Sequence, residues 1–228
     1  MSTVSRLLAD TFDWGTFPDA FRFIVNHPAL LWDKTVQHLA LSGAALAIAI
    51  AIALPLGLIL GHYHRGSFIA ISVSNVGRAL PSLVLIAFFL LVSTDFFWDN
   101  TAALVILGIP PILTNAYFGV DQVDRSVVES ARGMGMTGRQ ILTTVEVPLA
   151  APLIFAGIRI AAVFVIATAT IASIAGGGGL GDIIVNQANY GLAGVVGASL
   201  CVTALAFLAA GLLGLIRKIL QRPLVTSD

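Results

Sequence analysis

Long apolar runs separated by short polar segments organise this chain, and they predict helices that cross a membrane. Five windows are almost free of charge, each holding at most one arginine. A membrane-spanning helix needs about 20 mainly apolar residues, so each window is long enough for one span. The predicted spans have approximate limits at 38–60, 72–94, 101–120, 148–174 and 192–216.

The polar segments divide the chain into three parts. Residues 1–35 contain acids from Asp10 onwards and no long apolar core, so they do not read as a signal peptide. The amphipathic stretch 17–31, next to Trp32, is typical of a segment that lies on the membrane surface. The predicted parts are an N-terminal segment at 1–35, a membrane domain at 36–220 with a polar loop at 121–147, and a tail at 221–228.

Composition indicates an all-α membrane protein. Apolar residues make up 57% of the chain, charged residues 11%, and the mean hydropathy is +0.95, whereas soluble domains average about 25% charged residues. The formal net charge is zero and no basic patch is present. We therefore expect membrane lipid as a neighbour and no nucleic-acid partner. The single cysteine, Cys201, excludes a disulfide within the chain.

The distribution of lysine and arginine predicts the orientation. If the N-terminus lies outside, the inner segments carry seven basic residues, namely Arg65, Arg125, Arg132, Arg139, Arg217, Lys218 and Arg222. The outer loops then carry Asp95, Asp99 and Asp182 but no basic residue. By the positive-inside rule, the polar loop and the C-terminus are expected in the cytoplasm.

The polar loop predicts a helix-turn-helix. A short helix over 126–131 is expected, with Asp124 or Ser126 as its N-cap. Gly133 and Gly135 flank Met134 and allow the backbone to turn sharply. Thr137 is placed to cap a second helix over 138–145, which leads to a proline suited to the first turn of the next helix.

A motif in this loop resembles the "EAA loop" of ABC-importer permeases. The chain reads Glu129-Ser130-Ala131, three residues, Gly135, nine residues, Val145-Glu146-Val147-Pro148. It departs from the family pattern only by similar-sized residues: a serine for the first alanine, and valines for isoleucine and leucine.

The resemblance implies that this loop docks in a groove of an ATP-hydrolysing subunit. The small Ala131 and Gly135 are expected to let that partner approach, with adaptable apolar contact from the methionines. The expected coupling residues are Glu129, Ser130, Ala131, Gly133, Met134, Gly135, Met136 and Pro148.

The same resemblance implies the fold of a type I ABC importer permease, a bundle of about five transmembrane helices in the bacterial inner membrane. Its implied partners are a second permease chain, identical or related, two ABC ATPase subunits, and an extracellular or periplasmic solute-binding protein. No G-x-x-x-x-G-K-[ST] phosphate loop occurs in the chain. We therefore expect no cofactor here, with ATP and Mg²⁺ bound by the ATPase subunit, and no catalytic residue or metal site.

Further runs resemble the permeases of osmoprotectant importers, which carry glycine betaine, choline or carnitine. They are ESARGMGMTGRQ, VEVPLAAPLIFAGIR and ATATIASIAGGGGLGD, all within 129–182. Related branches carry methionine or other small solutes, so these stay as alternatives. A stand-alone secondary transporter or channel is a further alternative; it predicts acids deep in a span and inverted repeats, and the sequence shows neither.

Two sets of residues are candidates for the translocation pathway. Arg159 lies about 16 Å along a helix beyond the loop proline, and Asn115 supplies a polar group within a span. Gly176, Gly177, Gly178 and Gly179 end the fourth span and either line an outer gate or form a plain exposed loop. A Gly57-to-Gly61 small-xxx-small pattern predicts close contact between two helices.

Overall fold

The computed structural model describes residues 15–91 and 95–221, and within those ranges it contains helices and no strand. The helices are α1 Thr16–Asn26, α2 Pro28–His62, α3 Ser67–Ala79, α4 Ser82–Leu90, α5 Phe96–Asp121, α6 Arg125–Gly133, α7 Gly138–Ile141, α8 Val147–Ala172, α9 Gly181–Val185 and α10 Gln187–Gln221. A π segment, Leu142–Glu146, joins α7 to α8, and a 3₁₀ turn, Ser173–Ala175, follows α8.

Four stretches of helix are long and apolar enough to cross a membrane: Pro28–His62, Phe96–Asp121, Gly138–Ala175 and Gln187–Ile219. A bent pair formed by α3 and α4 supplies a fifth if it counts as one span. The all-α plan with about five spans is therefore confirmed. The helices run beyond the apolar windows, so the exact limits of the membrane-embedded parts stay a prediction.

The second predicted span is not a straight helix. Its two halves, Ser67–Gly77 and Ser82–Leu90, meet at an angle of 86°. Leu80 has an extended backbone (ψ 118°) and Pro81 follows it. A proline disfavours helical geometry in the residue before it and cannot donate its own N–H, so the chain bends here. The last part of the predicted span, residues 92–94, lies outside the described residues.

Helix α5 is the centre of the bundle. It packs against α2 on one side and α8 on the other, and α3 and α4 also contact it. Small residues allow these close approaches: a Cβ on Gly157 of α8 would lie 2.6 Å from the Asn115 Cβ of α5. The buried core includes Leu41, Ala45, Ala49, Ala53, Leu104, Ile112, Leu113, Ala116, Ile154, Ala161 and Val165.

The Gly57-to-Gly61 pattern marks a close helix contact, as predicted. A Cβ on Gly57 would lie 2.7 Å from the Ala116 Cβ, and one on Gly61 would lie 2.8 Å from the Tyr117 carbonyl oxygen. Both glycines are buried. The pattern therefore brings the backbones of α2 and α5 together near the end of α2 that lies beside the polar loop.

The amphipathic N-terminal stretch forms α1 and the start of α2 rather than one helix. The backbone breaks at His27 (φ −124°, ψ 49°) before Pro28 begins α2. Helix α1 packs its Ala20 and Phe23 side against α10, where a Cβ on Gly194 would lie 3.2 Å from the Phe23 ring. Its position on a membrane surface stays a prediction, and residues 1–14 and 222–228 of the predicted end segments lie outside the described residues.

Candidate functional site

The polar loop folds into a small protrusion, residues 122–145, which we call the knob. Its first helix, α6, begins after Asp124, whose Oδ1 accepts a hydrogen bond from the Ser126 backbone N–H at 2.8 Å. Asp124 is therefore the N-cap, and Ser126 lies inside the helix. The hydrogen bonds from the backbone N–H and the side chain of Ser126 hold the pKa of the Asp124 carboxyl below its ordinary value. Helix α6 ends at Gly133, and Gly135 adopts a left-handed backbone (φ 84°) that turns the chain.

The second helix of the knob does not end before the next membrane helix. Thr137 caps α7 through a capping box with Gln140, as its position predicts. Beyond Ile141 the chain continues as the π segment and enters α8 without a turn, so the predicted separate helix over 138–145 is wrong in that respect. Pro148 lies in the first turn of α8 and has no N–H to donate, and the wider π turn accommodates that missing donor.

The knob has a core of its own. Buried Val128, Ala131 and Ile141 pack together. Three partly buried side chains, those of Val123, Met136 and Val145, complete this cluster. Ala131 is only 2% exposed. The expectation that Ala131 admits a partner is therefore corrected: its small size serves the contact between α6 and α7, and Met136 faces the same interior.

The turn between α6 and α7 is the exposed tip of the knob. The Met134 side chain is 76% exposed, and Val127 of α6 is 41% exposed. Glu129, Ser130, Gly133 and Gly135 are also exposed. A flexible apolar side chain beside polar neighbours is the kind of surface that packs into a partner's groove.

Two histidine–carboxylate contacts hold the base of the knob. His62 Nδ1 lies 2.6 Å from Glu146 Oε2, and His64 Nδ1 lies 2.8 Å from Asp121 Oδ1. The sequence names Glu146 only as a member of the loop motif and indicates no partner for it. An acid within a polar loop carries no local signal of its partner, because that partner, His62, comes from another helix. No group of three metal-ligating side chains lies together within 15–91 and 95–221.

The glycine run forms a tight turn at the other end of the bundle. Gly176, Gly178 and Gly179 have φ values of 71°, 72° and 85°, which side-chain-bearing residues rarely adopt. The turn packs on α2, where the Gly179 N–H donates to Gln37 Oε1 at 3.2 Å. Side chains would collide here: a Cβ on Gly179 would lie 3.0 Å from His38 Nδ1. The glycine at 176 is exposed, 177 and 178 are half-buried and 179 is buried.

Polar side chains surround this turn. Lys34 Nζ lies 2.6 Å from Asp182 Oδ2, joining α2 to α9. Asn100 Nδ2 donates to the Ala175 carbonyl at 3.3 Å. The structure therefore places the glycine turn against α2 and α5 rather than leaving it as a free loop.

The other two pathway candidates lie on a different surface. Arg159 is exposed and, with Phe155 and Arg217, lines a cleft of about 620 Å³ between α8 and α10. Asn115 lines a second cavity of about 370 Å³ that lies between the bent pair, α5 and α8. Ile160 and Phe164 of α8 border both. Neither cavity is lined by the glycine turn or the knob, so the predicted pathway residues fall in two separate regions.

Comparison with known proteins agrees with the all-helical membrane fold. The family model described as "Binding-protein-dependent transport system inner membrane component" matches residues 53–225. The chain belongs to this family. It is a permease subunit of an ABC importer and a multi-pass protein of the inner membrane.

Curated relatives match most of the chain. The choline transport system permease protein OpuBB of Bacillus subtilis (strain 168) is 37% identical over 186 residues, which are 81% of this chain and 86% of that protein. The carnitine transport permease protein OpuCB of Listeria monocytogenes is 42% identical over 185 residues, 79% of this chain and 84% of that protein.

Solved structures share the fold at low sequence identity. A chain of the inward-facing MetNI methionine ABC transporter superposes with a TM-score of 0.74 at 19% identity, covering 85% of this chain and 98% of that one. A chain of an amino acid ABC transporter with histidines gives a TM-score of 0.65 at 19% identity, covering 93% and 99%. At this identity the likeness concerns the fold alone.

Proposed function

We propose that this permease imports a quaternary-amine osmoprotectant such as glycine betaine, choline or carnitine. The support is the set of curated relatives at 37–42% identity whose names specify choline, carnitine and glycine betaine transport. The runs within 129–182 that resemble osmoprotectant permeases point the same way. Another small solute, such as methionine, is the alternative cargo, and the methionine transporter among the solved structures supports only the fold.

The proposed assembly has three kinds of component. Two permease chains, identical or related, enclose one pathway; two ABC ATPase subunits bind their knobs and hold ATP and Mg²⁺; a solute-binding protein delivers the cargo from outside. This chain supplies no catalytic residue. Closure of the ATPase dimer on ATP draws the knobs together and tips the helices between inward-open and outward-open states.

The observation that carries the proposed coupling between the ATPase and the pathway is the continuity of the knob with a membrane helix. Residues Gly138–Ala175 form one stretch of 38 residues, from the capped start of α7 through the π segment to the end of the 3₁₀ turn. A force on the exposed tip therefore acts directly on α8. Because α8 also borders both cavities, its tilt changes the space around Arg159 and Asn115.

Those two cavities are the proposed pathway surface. Leu149, Ile160 and Phe164 of α8 are 53%, 53% and 43% exposed in the single chain. Arg159 and Asn115 add polar groups along this apolar face, which suits a small polar cargo that passes without tight binding. The glycine turn, at the opposite end from the knob, is proposed as part of the outer gate.

The experiment tests docking at the tip. We expect Met134→Asp to abolish co-purification of the ATPase subunit and ATP-dependent uptake of radiolabelled glycine betaine, because it replaces an apolar contact with a charge. Thr143→Asp is the matched control: its side chain is exposed but bonds the carbonyls of Arg139 and Gln140 within its own helix. Docking that survives Met134→Asp places the contact elsewhere.

The cargo and the energy source are tested separately. Uptake by reconstituted complex is measured with glycine betaine, choline, carnitine and methionine, with and without ATP. Methionine uptake with no quaternary-amine uptake overturns the proposed cargo. Uptake by this chain alone, without ATP, overturns the ATP-driven mechanism and favours a stand-alone transporter or channel.

A further inference from the structure

Both ends of the knob are attached to the turn at the end of α2, which carries His62 and His64. The knob starts after Asp121, the last residue of α5, and ends just before Glu146, the last residue of the π segment. The two carboxylates lie 2.8 Å and 2.6 Å from the ring nitrogens of His64 and His62, respectively. We call these four residues the histidine brace. The brace joins the end of α2 and the turn after it to both ends of the knob. Among the described residues, α2 makes no other hydrogen bond to the knob.

The two pairs differ greatly in burial. In the inner pair, the Glu146 side chain is 1% exposed and that of His62 is 13% exposed. In the outer pair, His64 and Asp121 are 39% and 29% exposed. Solvated pairs contribute little, whereas removal of one partner from a buried pair leaves an unpaired buried group at a large cost. The inner pair is therefore the strong link of the brace.

The His62 ring is held from a second side. Gly138, the first residue of α7, faces it, and a Cβ there would lie 3.2 Å from His62 Nε2. Glu146 and Gly138 are at the two ends of the continuous α7 and π stretch. The ring thus contacts both ends of the knob's second helical segment, so a shift of that segment displaces the end of α2.

The turn that carries the histidines has an unusual backbone. His64 has φ 50°, and it is the one residue other than glycine with a positive φ within the described part of the chain. Such a conformation is uncommon and persists where surrounding contacts hold it. Here it orients His64 towards Asp121 while His62 faces Glu146.

We propose that the histidine brace, through its His62–Glu146 pair, is a positioning device that makes α2 move as one body with the knob when nucleotide binds. The inference rests on the proposed docking of the knob on an ATPase. It adds α2 as a second membrane helix driven by the knob, beside α8, which is driven through its own backbone. Since α2 also holds the glycine turn through Gln37, the brace connects the ATPase side of the molecule to the proposed outer gate.

The experiment follows the distance between α2 and the knob. Spin labels are attached at Gly43→Cys in α2, where nothing lies within 4 Å of an added Cβ, and at Thr144→Cys in the knob, an exposed position away from the tip that is proposed to dock on the ATPase. A Cys201→Ala background removes the native thiol. The distance between the two labels is measured by pulsed EPR in the complex with the ATPase. The labelled chain is diluted with unlabelled chain, and the measurement is made without nucleotide and again with ATP and vanadate.

We expect an unchanged distance in the intact brace and a nucleotide-dependent shift of about 5 Å, roughly one helical turn, in Glu146→Leu and in His62→Leu. Glu146→Gln restores the constant distance because its amide oxygen still accepts the histidine N–H. The double variant His62→Leu/Glu146→Leu shows no larger shift than either single change. Thr143→Leu, exposed in the same π segment, behaves like the intact brace.

The outcomes separate the two proposals. If the label distance in both Glu146→Leu and His62→Leu is as insensitive to nucleotide as in the unchanged brace, the positioning role is overturned. Loss of rescue by Glu146→Gln, with a shift equal to that of Glu146→Leu, overturns it as well. Failure of the ATPase to co-purify with the unsubstituted chain overturns the proposed function instead.

Discussion

At the base of the knob, the structural role of one acid, Glu146, depends on a residue from a distant part of the chain. Glu146 is almost wholly buried, and its described partner is His62, 84 residues earlier in the chain. Buried carboxylates require a partner because removal from water disfavours an isolated charge. The family motif assigns no residue type to this position, so the pairing emerges only from the packing of α2 against the π segment.

Asp124 determines where the knob begins. We expect Asp124→Ala to speed amide hydrogen exchange in α6, because the Ser126 N–H loses its acceptor. Asp124→Asn is the control, since its side-chain oxygen still accepts that bond. Slow exchange retained in Asp124→Ala contradicts the assigned cap.

The same cap predicts a pH dependence of α6. The pKa of Asp124 in the folded knob lies below the ordinary value of 3.8 because the backbone N–H of Ser126, and then its side chain, stabilise the charged form. A group whose pKa is depressed on folding contributes stability above its unfolded pKa and loses it as the pH falls through the folded pKa. We therefore expect the protection of α6 amides, corrected for the intrinsic pH dependence of amide exchange, to fall below about pH 4 in the unchanged chain and to stay constant there in Asp124→Ala.

Helix α5 owes its central position to small residues on the helices that flank it. Gly57 and Gly61 of α2 contact one side, and Gly157 of α8 contacts the other. In membranes, where lipid is as apolar as the side chains, such close backbone approach contributes much of the helix association. The bundle therefore depends on the absence of side chains as much as on their presence.

A pair of glycines in α2 tests this contact. We expect Gly57→Ala to lower the free energy of unfolding by about 1–3 kcal/mol, because its Cβ would lie 2.7 Å from the Ala116 Cβ and 2.8 Å from the Leu113 carbonyl oxygen. Gly43→Ala, in the same helix with nothing within 4 Å, is expected to raise it by up to about 1 kcal/mol through helix propensity. Chemical or thermal unfolding in detergent measures both. Equal effects at the two positions contradict the proposed packing.

The glycine turn after α8 is the element that we propose for the outer gate. Ile174, beside this turn, is 62% exposed and accepts a cysteine without backbone strain. In a Cys201→Ala background, we expect the labelling rate of Ile174→Cys to differ by about tenfold between the nucleotide-free and the ATP-bound complex. The reason is that a two-state movement of the turn changes the exposure of the thiol at this position. Thr143→Cys, in the π segment, is the comparison site. Equal rates at position 174 in both states exclude movement of the turn.

At the scale of the whole molecule, the distribution of charge predicts the orientation. The knob and the end of α10 carry arginines and Lys218, while the opposite end of the bundle carries the Lys34–Asp182 pair and Asp95. By the positive-inside rule, we therefore expect the knob on the cytoplasmic side, where the proposed ATPase would bind it.

Impermeant thiol labelling tests this placement. We expect a cysteine at Ser130, exposed on the knob, to be protected in intact cells and labelled in inverted membrane vesicles of the Cys201→Ala chain. A cysteine at Gly15, the exposed residue that precedes α1, is expected to show the reverse pattern. Labelling of position 130 from outside the cell contradicts both the orientation and the docking of the knob.

The amino-acid sequence alone determined the number of apolar helices, the polar loop and its motif spacing, and the cap at Thr137, and it narrowed the first cap to Asp124 or Ser126. These properties depend on hydropathy and hydrogen bonding between near neighbours in the chain. Even the close contact at Gly57 and Gly61 was readable, because small residues one helical turn apart lie on one face.

Only the tertiary structure decided which distant residues meet. It bent the second span at Leu80–Pro81, buried Ala131 inside the knob, joined α7 to α8, separated Arg159 from the glycine turn, and paired His62 with Glu146. Each of these outcomes depends on how the helices pack in three dimensions. A local pattern carries no record of that packing, because the partner groups are contributed by other parts of the chain.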